Sequence, residues 1–460
     1  MHFIEENYIN SLIDDESLNN ENLQKDILNK ALEAKGLSLR EAAALLNINK
    51  FELFEQLFHT AKEVKEKIYG NRLVLFAPLY LTNVCVNNCL YCAFRKDNKE
   101  LVRKTLTTEE AVAEAECLIR QGQKRLLLVA GEYPKRKDIG FIGDAIEKIY
   151  KLNINGGNIR RINVNAAPMS VEKFKELKSF GIGTFQCFQE TYHYDTYMVM
   201  HPSGPKHDYT WRLYTMDRAL QAGIDDVGIG SLFGLADYRF ETLALLQHAF
   251  DLDTKYGIGP HTISVPRLEP ALNAPAAMKP PHAVDDLAFK KLIAVIRLAV
   301  PYTGMILSTR ERAELRRDLF SVGISQISAG SRTSPGSYKQ GEEEHQLEQF
   351  QLGDHRSLDE VVKDCTSLGY LPSFCTACYR SNRTGDRFME LAKTGEIGKI
   401  CVPNALSTFQ EYLNDYASED TKRVAEAFLK EDMKTLDKAA KNKVEKMIER
   451  VNAGEKDVFY

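Results

Sequence analysis

The most constraining feature of this chain is an alternation that begins at Leu73 and runs to about residue 331. Short apolar and β-branched runs are separated by stretches with helical amphipathic spacing. The runs are LVLFAPLYL, RLLLVAGE, RINVNAA, GTFQCFQE, DVGIGSLFG, HTISVPR, GMILSTR and SQISAGS. Between them TTEEAVAEAECLIRQG, SVEKFKELKSFG, TWRLYTMDRALQAG and DDLAFKKLIAVIRLAV read as helices. The first opens on a capping box, Thr107 with Glu110. Eight strands interleaved with helices predict an α/β fold of the (β/α)8 type, a TIM barrel. A doubly wound open sheet is the competing arrangement.

The flanks differ. Residues 1–70 are helical in pattern, with a second capping box at Ser38 and Glu41. Residues 71–340 hold the barrel. Residues 341–460 read as a mostly helical C-terminal domain, entered through the polar, acidic connector SPGSYKQGEEEHQLEQFQLGD and a helix opening at Ser357 with Glu360. A formal net charge of -4 gives no general attraction to nucleic acid. No apolar run approaches the roughly 20 residues of a membrane span. The first residues, MHFIEENYINSLIDDESLNN, lack the basic start and apolar core of a secretory signal. The nine cysteines are odd in number and clustered, which points to metal ligation in a reducing compartment, so a cytoplasmic location is expected.

Cys85, Cys89 and Cys92 fall within TNVCVNNCLYCAF, just after the first strand, where a barrel places its top-face loops. Three thiolates at C-x3-C-x2-C spacing suit an iron–sulfur cluster better than tetrahedral zinc, which closes its shell with a fourth ligand. A structural zinc knot or buried free thiols is the plainer alternative. The loop resembles that of the radical S-adenosylmethionine (SAM) enzymes. The resemblance implies a 4Fe–4S cluster whose open iron binds SAM, and a one-electron cleavage that yields an adenosyl radical. It also implies SAM contacts. Gly131 would allow close backbone approach, and Glu132 would accept from the SAM ammonium. Asn163 and Asn165, on one strand face by period two, would meet ribose hydroxyls or simply fill the barrel. Glu190 follows strand four, and Arg212 would take the SAM carboxylate. Tyr91 and Phe94 would pack beside the cluster and adenine.

A second group, Cys375, Cys378 and Cys401, has C-x2-C-x22-C spacing. Together with PHTISVPRLEP, STRERAELR and SAGSRTSPGSY, it makes the whole chain resemble the radical SAM tyrosine lyases of iron–iron hydrogenase maturation. Their relatives, the 2-iminoacetate synthases of the thiazole pathway, share the barrel and tyrosine cleavage but not the second cluster. The resemblance implies cleavage of L-tyrosine at Cα–Cβ to p-cresol and dehydroglycine. It further implies conversion of dehydroglycine to carbon monoxide and cyanide, giving an iron–carbonyl–cyanide unit. The cofactors implied are a 4Fe–4S cluster with SAM and a second 4Fe–4S cluster carrying a labile iron, bridged through a sulfur ligand or a cysteine. The partners implied are L-tyrosine, an electron donor of the ferredoxin or flavodoxin type, and other maturation proteins.

The substrate carboxylate needs a planar, two-point cation. Arg332, after strand eight, is the first choice and Arg310, after strand seven, the second. His261 precedes strand six and so belongs at the barrel bottom; the resemblance makes it the protein ligand of the labile iron. Two clusters at opposite mouths would require a passage lined by small or polar side chains, with Asn163 and Asn165 as candidates. Cys117, Cys187 and Cys365 fit buried thiols.

Overall fold

The computed structural model describes residues 2–133, 139–340, 347–381 and 383–460. All eight runs form parallel strands: β1 (Arg72–Thr82), β2 (Arg125–Ala130), β3 (Arg161–Asn165), β4 (Phe185–Gln186), β5 (Val227–Gly230), β6 (Thr262–Ser264), β7 (Gly304–Leu307) and β8 (Gln326–Ser328). β1 pairs with β2 through Ala77↔Leu126 and with β8 through Leu75↔Ile327. The sheet therefore closes on itself. The open doubly wound alternative is excluded.

The strands are buried along nearly their whole length, as expected when helices cover the outer face and side chains fill the inner one. The capping boxes at Ser38, Thr107 and Ser357 all form, each with its glutamate returning to the cap backbone. Helices Glu6–Ile13, Glu21–Ala31, Leu39–Leu46 and Phe51–Tyr69 precede the barrel. Leu358–Ser367, Gly385–Thr394, Ile397–Asp415, Glu419–Asp432 and Lys438–Asn452 follow it. One apolar core runs through all three stretches, from Ile4 to Val444. Residues 341–346 of the acidic connector lie outside the described residues. Among the described residues no helix is long and apolar enough to cross a membrane.

Three local features depart from the sequence pattern. TWRLYTMDRALQAG is not one helix: Tyr209–Leu213 and Thr215–Gln221 are separated at Tyr214. Just before that break, Arg212 Nε donates to Phe188 O at 2.7 Å, drawing its guanidinium into the barrel mouth. β4 is only two residues long, because GTFQCFQE turns into the site loop that ends at Glu190, whose φ is 74°. A ninth strand, β9 (Leu371–Ser373), pairs parallel with Arg72–Val74 at the start of β1. It fastens the C-terminal region to the barrel's bottom.

Candidate active site and second thiol site

The first cysteine loop leaves the C-terminal end of β1 and folds against the end of β2. Gly131 N–H donates to Thr82 O at 3.0 Å, and a Cβ on Gly131 would lie 2.5 Å from Val84 O. Only glycine permits that approach. Glu132 accepts from Asn87 Nδ2 at 2.7 Å, and its backbone oxygen accepts from Val86 N–H. Cys89 is buried, and burial pushes its thiol up to about 12. The surroundings are set for sulfur as an acceptor. Asn87 Nδ2 lies 3.7 Å from Cys85 Sγ, and Gln349 Nε2 lies 3.6 Å from Cys92 Sγ. Amide N–H groups aimed at sulfur suit an iron–sulfur cluster, whose potential responds to hydrogen bonds at its thiolates. Among the described residues no group of three or more His, Cys, Asp or Glu side chains is arranged around a single metal position.

Above the strands is a cavity of about 170 Å³, whose lining includes Tyr91, Cys92, Asn165, Glu190, Arg310 and Gln349. Tyr91 Oη meets His201 Nε2 at 2.7 Å, which fixes the ring beside the cluster loop. Phe94 lies behind the wall, edge-on to Tyr80 with centroids 5.9 Å apart. Glu190 is met by Lys206 Nζ at 2.7 Å and by Arg212 at 3.4 Å. Burial would raise its pKa, but these cations outweigh it and hold the carboxyl below its usual value. Asn165 faces the cavity. Asn163 does not: its Oδ1 accepts from Thr184 N–H at 3.0 Å and Arg161 Nε at 3.2 Å, inside the barrel.

The two arginines divide. Arg310 enters the cavity with its guanidinium 3.2 Å from the Phe350 ring centroid, and the bond it donates is a long one, 3.5 Å, to Arg267 O. Among the described residues no carboxylate lies within 4.0 Å of it. Arg332 sits between Ser331 and Thr333, both of which line the cavity, but is not itself part of the wall. Arg310, the second choice from sequence, is the one of the two that lines the cavity.

At the opposite mouth, Cys375, Cys378, Cys401 and His261 line one small cavity of about 50 Å³. β9 delivers Cys375 there, a short turn Ala377–Arg380 carries Cys378, and Ile397–Asp415 supplies Cys401. All three cysteines are free thiols, and a hydrogen bond with the Cys378 thiol holds the Cys401 thiol below its usual value. His261 Nε2 lies 3.2 Å from Tyr379 Oη. Its Nδ1 is 3.5 Å from Asp226 Oδ1 but makes no hydrogen bond. Burial lowers its pKa, which favours the neutral form of the ring. Arg72 and Arg125 stand beside the thiols, Arg125 donating to Cys375 O at 2.9 Å. Among the described residues Arg72 Nε is buried without a hydrogen-bond partner, and the sulfurs of Cys401, Cys375 and Cys378 hold its charge against desolvation. Soft donors, one imidazole and flanking cations fit an anionic iron–sulfur centre.

Sequence and structure comparisons agree with this geometry. Residues 79–246 match the radical SAM superfamily, and residues 264–371 match the biotin and thiamin synthesis associated domain. The 2-iminoacetate synthase of Escherichia coli (strain K12) is 32% identical over 344 residues, 75% of this chain and 88% of that protein. A crystal structure of HydG, described as a maturase of the [FeFe]-hydrogenase, superposes with a TM-score of 0.96 at 48% identity, covering 100% of both chains. The chain belongs to the HydG family of radical SAM enzymes. The HydG of Carboxydothermus hydrogenoformans superposes with a TM-score of 0.82 at 43% identity, over 97% of this chain and 100% of its own. The HydG matches extend through the C-terminal region that carries Cys375, Cys378 and Cys401.

Gln349 and Phe350 are among the site residues that sequence reading missed. They come from the connector, 257 residues beyond Cys92 in the case of Gln349, and no local motif marks them.

Proposed function

We propose that this protein cleaves L-tyrosine at Cα–Cβ to p-cresol and dehydroglycine. It then converts dehydroglycine to carbon monoxide and cyanide at a second centre, yielding an iron–carbonyl–cyanide unit for the iron–iron hydrogenase active site. The observation that carries the reading is the pairing of two thiol triads at opposite mouths of one barrel, the lower one sharing its cavity with His261.

Cys85, Cys89 and Cys92 would hold a 4Fe–4S cluster, and Glu132, Asn165, Glu190 and Arg212 would hold SAM, with Tyr91 and Phe94 packed alongside. When bound, this pair supplies a carbon-centred radical that takes a hydrogen atom from the substrate. The chain does the rest by position. Arg310 offers two parallel N–H groups to the tyrosine carboxylate, and its stacking on Phe350 fixes the plane of the fork. Lys206 and Arg212 keep Glu190 ionised, so it acts as an acceptor at the cavity wall. The apolar side chains Phe76, Phe188 and Leu232 in the wall limit water around the reacting centre. Below, Cys375, Cys378 and Cys401 would hold the second cluster, and His261 would bind the iron that becomes cargo. A low-potential electron donor and other maturation proteins complete the proposed partners, in the cytoplasm.

A 2-iminoacetate synthase activity that stops at dehydroglycine is the second reading, favoured by the relatives of that name. Anaerobic incubation of the iron- and sulfide-loaded protein with tyrosine, SAM and reductant separates the two. p-Cresol with cyanide and carbon monoxide supports the first reading. p-Cresol without them supports the second, and no SAM cleavage sinks both.

A further inference from the structure

Gln349 reaches the cluster loop from a strap, residues 347–354, that crosses the barrel mouth. Ala93 N–H donates to Gln349 O at 3.2 Å, and Gln349 N–H donates to Thr333 O at 3.1 Å. Gln351 N–H donates to Pro270 O at 2.9 Å, and Gly353 N–H to Thr309 O at 2.9 Å. The backbone is therefore anchored on both sides of the side chain. Tyr80 Oη lies 2.8 Å from Gln349 Oε1, and Gln349 Nε2 lies 3.6 Å from Cys92 Sγ. Burial holds the Tyr80 phenol protonated, well above its usual range, so it is a donor. The opposite amide orientation would face a carbonyl oxygen against a thiolate, lone pair to lone pair. The arrangement thus runs one way, from O–H to amide oxygen and from amide N–H to sulfur.

We propose that Gln349, aimed by Tyr80, is a positioning residue that sets the reduction potential of the cluster held by Cys85, Cys89 and Cys92. This rests on the proposed function in one respect, that the first thiol loop holds an iron–sulfur cluster. One-electron reduction by an external low-potential donor adds negative charge to the cluster and its thiolates. An N–H dipole aimed at a sulfur stabilises the reduced form more than the oxidised one, and so raises the potential. No bond to the protein forms or breaks. Asn87 is a weaker candidate for the same role. Its Nδ2 is 3.7 Å from Cys85 Sγ but only 2.7 Å from Glu132, a stronger acceptor. Among the described residues Gln349 Nε2 has Cys92 Sγ as its sole acceptor.

The test is a redox titration of the full, anaerobically loaded chain, followed by electron paramagnetic resonance. Added SAM marks which reduced-cluster signal belongs to the first loop. Gln349→Leu should move the midpoint of that signal to a more negative potential at unchanged iron and sulfide content. Gln349→Glu should move it further, because a carboxylate adds charge of the wrong sign. Tyr80→Phe should shift it in the same direction by less. A residue that only packs would alter loading or thermal stability and leave the midpoint where it was. An unchanged midpoint in loaded Gln349→Leu and Gln349→Glu overturns the proposal. If Gln349→Leu does not load, Gln349→Glu and Tyr80→Phe decide it. Loss of loading in all three also overturns it, since the contact would then serve assembly. Absence of any SAM-responsive signal in the unaltered chain sinks the reading of the first loop instead.

Discussion

Arg310 and Arg332 show how far single residues could be read. Both follow strand ends, so both belong near the top mouth, and the sequence carries no signal for which way each side chain turns. For Arg310 it depends on Phe350, which arrives from the connector to meet the guanidinium at 3.2 Å. Arg310→Lys keeps the charge but loses the planar fork and its stacking, so tyrosine binding should weaken by about 1–3 kcal/mol. Arg332→Lys should leave it unchanged. Tyrosine affinity measured by calorimetry with SAM present checks both, and the reverse pattern would return the carboxylate to Arg332. His261 was placed at the bottom from its position before β6 alone, and it does share a cavity with the second thiol triad. His261→Ala should lower the iron content at that centre and cut cyanide yield while p-cresol formation continues. Equal loss of both products would mean that the lower site also supports the upper reaction.

At the scale of elements, the strong signals were periodic or capped, and those formed. Each of the eight apolar runs became a strand, and all three capping boxes closed. β9 escaped notice because three residues with Pro372 at their centre carry no alternation. Its register is set by the partner strand, a tertiary effect. Helix Phe51–Tyr69 holds another feature that periodicity hides. Lys65 falls on its buried face, with Nζ 4.9 Å from the Tyr370 ring and, among the described residues, no hydrogen-bond partner. Burial, and then the nearby Arg297, push its pKa down to about 7 from 10.5. The unfolded chain therefore binds more protons than the folded one between those values, and stability contributed by this group rises with pH across that window. Lys65→Met should raise the melting temperature most at pH 7 or below. The gain should shrink steadily as pH approaches 10. A gain that stays constant with pH would mean that the lysine is charged in the fold.

For the molecule as a whole, the two cavities open at opposite ends of one barrel, yet little separates them. Val74, Arg125, Gly304 and Gln326 line the lower cavity; Phe76, Leu127, Ile306 and Ser328, two residues further along the same strands, line the upper one. Two residues of strand span about 7 Å. Adjacent side-chain layers of the barrel interior thus line the two cavities, and only this layered stretch lies between them. Dehydroglycine formed above would hydrolyse if released, so passage through this layer is the favoured route to the lower thiols. Cys375→Ala with Cys378→Ala should then preserve much of the p-cresol yield and abolish cyanide, because the upper site is complete without them. Gly304 offers a sharper test, since both thiol groups stay intact. A Cβ there would lie 2.4 Å from Gln326 Nε2, the far end of a flexible side chain that already faces the lower cavity, and 3.2 Å from His261 O, so the iron content of the lower centre is the control. Gly304→Val suits an extended strand and would press that amide across the gap between the cavities. p-Cresol formation and the iron content of both centres should stay near those of the unaltered protein, while the ratio of cyanide to p-cresol falls several-fold. An unchanged ratio in a fully loaded Gly304→Val protein would show that the intermediate reaches the lower site by another path.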